Sequence, residues 1–206
     1  MLLSVVRPSR KSLLSALSAI ALLGGSANVA LADQPQPIDT YEFDTVHTQV
    51  LFFADHIGFS KSQGEFLAFD GEFAFDADNW ADSSVNVTIQ TDSISMDSEK
   101  WDDHMKNKDF FNVSEYPTMT FNSSKIESSD DKTGKVYGQL TLLGITRPVV
   151  LDVTFNKAGI HPFSKKYVAG FSATTTVKRS EFGMKYGIPL LGNDIEVRPE
   201  VEGVRK

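Results

Sequence analysis

The chain has 206 residues, 41% of them apolar and 23% charged, with a formal net charge of -7 and no cysteine. That length suits one domain large enough to bury a core or enclose a cavity. The missing cysteine excludes a disulfide scaffold, a thiol nucleophile and thiolate metal sites, while leaving the compartment open.

The N-terminal stretch reads as a cleaved secretory signal peptide over residues 1–32. Arg7, Arg10 and Lys11 precede the apolar run Leu13–Leu23, and Ala30 and Ala32 form the small-x-small pattern that signal peptidase accepts. The run is too short for the ~20 residues of a membrane span. The expected mature domain is 33–206. Cleavage leaves 17 Lys+Arg against 27 Asp+Glu, a net charge of -10. Such a surface repels phosphate backbones, so no nucleic-acid partner is expected, and no later stretch is apolar enough to form a transmembrane segment.

The mature chain alternates with period two. Val50, Phe52, Ala54 and His56 share a strand face, as do Gly71, Phe73 and Phe75. Val85, Val87 and Ile89 follow, then Met119 with Phe121. Val136, Gly138, Leu140 and Leu142 make another run, and Val149, Leu151, Val153 and Phe155 the next. Phe171, Ala173, Thr175 and Val177 precede the closing run Ile195, Val197 and Val201. Turn signals separate the strands, as at Asp130–Gly134, Gly144–Pro148 and Gly192–Asp194. Only Asp97–Phe111 reads as helix, with Ser98 as its cap and Trp101, Met105 and Lys108 on one face.

About eight antiparallel strands with one short helix make an all-β sandwich or barrel. Small residues among large ones on the inner faces (Gly71, Gly138, Ala54, Ala173, Thr175) leave room and favour a barrel, wide enough to hold one small ligand.

Candidate chemistry is sparse. His47, His56, His104 and His161 show no metal-ligand spacing, so no metal is expected. A GxSxG elbow, a GxGxxG motif and a phosphate-binding loop are all missing, so neither catalytic residues nor a cofactor are expected. The apolar inner faces remain. Each buried methylene contributes ~0.8 kcal/mol, so a 16-carbon chain gains roughly 13 kcal/mol gross, part of it lost in ordering the chain.

A set of short segments stands in a fixed order between Thr40 and Gly203: His47–Gly58, Gly64–Phe66 and Phe69–Gly71, then Asp103–Met105 and Asp109–Phe121, then Gly138–Val149, Gly170–Phe171 and Arg179–Gly183. In these segments the sequence resembles the YceI-like family of periplasmic polyisoprenoid-binding proteins. The resemblance implies an extended, lipocalin-like antiparallel barrel holding a long amphiphilic lipid, such as a polyisoprenoid or isoprenoid quinone, in an elongated cavity. It implies no catalysis. Many members carry Arg before the Asp-x-His-Leu pattern of the helix. Here Trp101 and Asp102 occupy that stretch and Met105 replaces Leu, which points to a neutral headgroup.

The expected ligand wall is Val50, Phe52, Ala54, Phe73, Val87, Ile89, Phe121, Leu140, Leu151, Phe171 and Ala173. Arg179, in phase with Phe171 and Val177, either places a cation at one cavity end or forms a rim salt bridge. His56 is a second polar contact. The expected function is a periplasmic carrier for such a lipid. Two alternatives stand beside it. One is a ligand-free acidic module for a membrane redox partner. The other is a lipid-modifying enzyme using His104 or His56, for which no nucleophile–base pair is visible. A homodimer stays open.

Overall fold

A computed structural model describes residues 38–206, so the expected signal peptide lies outside the described residues. Eleven strand segments build eight staves. These are β1 (Asp39–Phe43), β2 (Gln49–His56), β3 (Ser60–Phe66), β4 (Phe69–Phe75), β5 (Ser84–Gln90) and β6 (Ile94–Ser95). The long strands β7 (Thr118–Ser128), β8 (Thr133–Leu142), β9 (Ile145–Ile160), β10 (Tyr167–Lys178) and β11 (Leu191–Arg205) complete the set. All pairings are antiparallel, and the order β1-β4-β5-β7-β8-β9-β10-β11 closes on itself through β1–β11. Closure leaves this eight-stranded ring without free edges. Among the described residues, no helix is long and apolar enough to cross a membrane.

Three staves are broken into tandem segments, and this explains the eleven. β1 and β2 lie end to end along the same edge of β11, which pairs Phe43 with Gly203 and Gln49 with Glu200. At the break Thr48 Oγ1 donates to the Glu202 carbonyl (2.9 Å) and accepts from its amide (3.0 Å), standing in for the interrupted ladder. β3 continues as β4 after Leu67 and Ala68, and β5 as β6 after a 3-10 turn at Thr91–Ser93. The period-two reading finds β2, β4, β5 and β7–β11. It misses β1, β3 and β6, which are short or, like Ser60–Phe66, polar on both faces at their start.

The helix is shorter than expected. α1 spans Glu99–Lys106. Asp97 has φ +56, outside the helical region, and Asn107 turns to ψ 178. The chain must leave the helix there to bury Phe110 and Phe111 in the core. Lys108 therefore lies beyond the helix. The Ser98 side chain makes no cap bond. Instead Asp102 accepts the Met96 amide at 2.6 Å, tying α1 to the strand before it.

β6 pairs with β3 and not with β7, so the wall parts after Gln90. The helix and the turns before β7 fill that end of the barrel. Two apolar clusters result. One gathers Phe52, Phe66, Ile94, Phe111, Met119, Leu142 and Phe182 at the helix end. The other gathers Tyr41, Phe73, Phe75, Trp80, Ile126, Val136 and Ala169 at the opposite end.

Candidate functional site: an apolar cavity with one framed mouth

Between the two clusters runs a cavity of about 540 Å³. Its volume falls within the roughly 300–1,000 Å³ range of small-molecule sites. All thirteen residues expected at the ligand site line it. β2 supplies Val50, Phe52, Ala54 and His56. β4 supplies Phe73, and β5 supplies Val87 and Ile89. Phe121, Leu140 and Leu151 come from β7, β8 and β9. Phe171 and Ala173 come from β10, with Arg179 just beyond it. Val87, Leu140, Leu151 and Phe171 point inward yet are only half-buried, because their remaining exposure faces the cavity.

Two of the small residues do not leave the room that the sequence suggests. A Cβ built at Gly138 would lie 2.6 Å from Cε2 of Phe121, so the Phe121 ring already fills that space. Gly71, at φ +142, lets its backbone approach the β5 backbone, where a Cβ would overlap the Asn86 carbonyl. The cavity is framed instead by Ala54, Ala173 and Thr175.

The end opposite the helix is closed by aromatic rings. Phe75 meets Trp80 at 5.6 Å, Phe155 at 5.0 Å and Phe171 at 4.9 Å between centroids. At the helix end the lining reaches solvent. Trp101 and Tyr186 are exposed there, with His56 and His104 half-buried beside them. His56 lies 6.1 Å from Trp101, and His104 lies 5.4 Å from Tyr186 and 5.0 Å from Phe110, ring to ring. His104 Nε2 is 3.5 Å from Asp109. The mouth therefore offers imidazole, indole and phenol groups around an otherwise hydrocarbon interior.

Met96, Trp101, Met105, Met184, Tyr186 and Leu191 were missing from the expected wall. Most come from the helix and the connections, where strand alternation carries no signal. The i, i+4 spacing of Trp101 and Met105 was the available clue.

Arg179 is neither a free cation nor half of a salt bridge. It is 4% exposed, and no carboxylate pairs with it among the described residues. Nε donates to Gly192 O (2.7 Å), one terminal nitrogen to Met184 O (3.1 Å), and the other to Tyr186 O (2.9 Å) and Leu191 O (3.2 Å). The guanidinium fork thus gathers the 183–192 loop over the cavity end. Burial lowers its pKa from the ordinary arginine value.

Asp44, His47 and Glu202 form the one grouping among the described residues with the spacing of metal ligands, their donor atoms within 4.8 Å of one another. Its hydrogen bonds account for it as a turn at the β1–β2 break. Asp44 accepts the Val46 amide (2.9 Å), the His47 amide (3.3 Å) and His47 Nδ1 (2.8 Å). Burial alone would raise the Asp44 pKa, but these bonds outweigh it and hold the carboxyl below its usual value. The same side-chain bond raises His47.

A model of the YceI-like domain matches residues 41–203. A UPF0312 protein of Pectobacterium atrosepticum is 38% identical, covering 96% of this chain and 98% of its own length. One from Ectopseudomonas mendocina is 36% identical over 90% of this chain and 93% of its own length. Among solved structures, the Campylobacter jejuni YCEI protein aligns with a TM-score of 0.65 at 30% identity, covering 74% of this chain and 90% of its own. Burkholderia cenocepacia BcnA aligns at 0.71 with 23% identity, covering 78% and 98%. A polyisoprenoid binding domain from Saccharophagus degradans aligns at 0.62 with 11% identity, covering 81% and 98%. The last two likenesses concern the fold.

Proposed function

The chain belongs to the YceI-like family, and from its cavity we propose that it is a periplasmic binding or carrier protein for a long-chain amphiphilic lipid, such as a polyisoprenoid or isoprenoid quinone. The observation that carries this reading is the predominantly apolar lining from the Phe75–Trp80 plug to the mouth at Trp101 and Tyr186. An apolar chain gains free energy along such a wall without any specific polar contact. The S. degradans domain of the same fold is described as polyisoprenoid-binding, which agrees in kind. The signal-peptide pattern in residues 1–32 supports export.

Binding rather than catalysis fits the polar groups. Among the described residues, no hydroxyl hydrogen-bonds to His56 or His104, and the Ser164–His161 contact (3.1 Å) lies in the β9–β10 turn, away from the cavity. The headgroup would meet the mouth, where His56, His104, Trp101 and Tyr186 offer hydrogen-bonding groups.

The test is extraction of the protein purified gently from its native host, with mass spectrometry of the released lipid beside native mass spectra of the intact chain. A stoichiometric isoprenoid or quinone is the expected result. A bare protein mass, unchanged after incubation with such lipids, would overturn the reading.

A further inference from the structure

The exposed large apolar side chains are not scattered evenly. Ile57, Phe59, Trp101, Tyr186 and Leu190 sit on three segments that meet at the cavity mouth. Ile57 and Phe59 belong to the β2–β3 turn, where the Phe59 amide closes on the His56 carbonyl at 3.0 Å. Leu190 precedes Leu191, which pairs in register with His56. Trp101 lies beside the His56 ring, and Tyr186 packs on His104. Phe59 is 88% and Leu190 67% exposed, an unfavourable display in water.

This rim is continuous with the cavity. His56 and Leu191 are wall residues, and the residues adjoining each, Ile57 and Leu190, lie outside it. The rim and the cavity wall therefore share the same chain segments at the mouth. Charges on the mouth segments are of both signs with acids in excess: Lys100, Lys106 and Lys185 against Asp55, Glu99, Asp102, Asp103 and Asp109. Such a rim does not seek anionic lipids. Trp and Tyr are the side chains that favour a lipid–water boundary, and lysine stems reach from it to water.

We propose that the mouth docks on the surface of a zwitterionic lipid bilayer, with Phe59, Ile57 and Leu190 entering the headgroup layer and Trp101 and Tyr186 at its boundary. The proposal rests on the lipid-binding reading: docking there lets a chain pass from bilayer to cavity without crossing water. A protein partner would need a broad complementary face of about 800 Å² on each side, whereas the rim offers five exposed large apolar side chains.

The test uses the mature chain with phosphatidylcholine vesicles. Co-sedimentation is read together with the emission of Trp101, the exposed one of the two tryptophans, Trp80 being buried. Binding that persists at high salt and shifts the Trp101 emission to the blue is expected. F59D combined with L190D should weaken partitioning at least tenfold, since each replaced side chain removes several buried carbons at ~0.8 kcal/mol apiece. Neither position lines the cavity, so uptake of an isoprenoid lipid from detergent solution should be unchanged in that variant. F163D, at the opposite end, should bind vesicles as the parent does. Docking is overturned if the parent chain does not sediment with vesicles, or if the double variant binds them as well as the parent. It is also overturned if the double variant instead loses a self-association seen in the parent by sizing. If vesicles bind but no lipid enters from detergent, docking stands and the carrier reading falls.

Discussion

The ring of Phe121 on β7 occupies the space that a side chain at Gly138 on β8 would need. The same relation recurs between Phe52 and Gly64, and between Trp80 and Gly134, each within 3 Å of a built Cβ. Glycines in these strands are seats for aromatic rings, Phe121 and Phe52 from the neighbouring stave and Trp80 from the 3-10 turn before β5. G138A should therefore destabilise the barrel by about 1–3 kcal/mol, the usual cost of overpacking. The denaturant midpoint measures it. F121L together with G138A should recover only part of the loss, because the overlap with the ring goes while that with the Asn122 carbonyl remains.

Ala173 faces the cavity and Val150 faces out. A173W should lower lipid occupancy by on the order of tenfold or more, because displacing even two methylenes costs roughly 1.6 kcal/mol. V150W should leave occupancy unchanged. Native mass spectra of the two variants, each checked for a native circular-dichroism spectrum, compare them directly. Equal loading would mean that Ala173 does not bound the ligand.

Arg179 holds four carbonyl oxygens of the 183–192 loop. Lysine keeps the charge but cannot fork to four acceptors. R179K should cost about 2–4 kcal/mol, since several carbonyls lose their partners and the loop relaxes only in part. Amide exchange should rise first in residues 183–192, while β7–β9 keep their protection. Uniform loosening of the whole barrel would argue against a local role.

Tyr41 is 2% exposed and stacks on Phe73 at 4.8 Å. Burial, then the neighbouring Asp39 charge, raises its pKa to about 12. The folded state thus keeps a proton that the unfolded chain releases near pH 10. The associated stability is complete below pH 10 and declines as pH rises towards 12, by on the order of 2 kcal/mol. Unfolding midpoints measured across that interval should fall, and Y41F should flatten the decline. A phenol absorbance that titrates fully near pH 10 would contradict this environment.

Much of the wall was legible because a barrel strand shows one face to the interior and one to solvent, so alternation translates directly into lining. The runs from Val85 to Ile89 and from Val149 to Val153 are of this kind, and both face the cavity. Where the chain leaves the strands, alternation stops carrying information. Met96, Met184 and Tyr186 reach the cavity from connections, and nothing in their local pattern marks them. The helix was overread to Phe111 because Phe110 and Phe111 continue an apolar pattern that in fact belongs to the turn after Asn107.

The antiparallel all-β class, the family and eleven cavity-lining residues were legible in the sequence, since strand alternation and short motifs are local. Only the tertiary structure decided what fills each inner space. Gly138 looked like room and is covered by Phe121, while Arg179 looked like a cation at a cavity end or half of a rim salt bridge and is bound to four carbonyls. It also set the mouth, by bringing the β2–β3 turn, α1 and the 183–191 loop together. Such contacts join residues far apart in the chain. Their occurrence depends on how the staves close around the barrel, which no local pattern records.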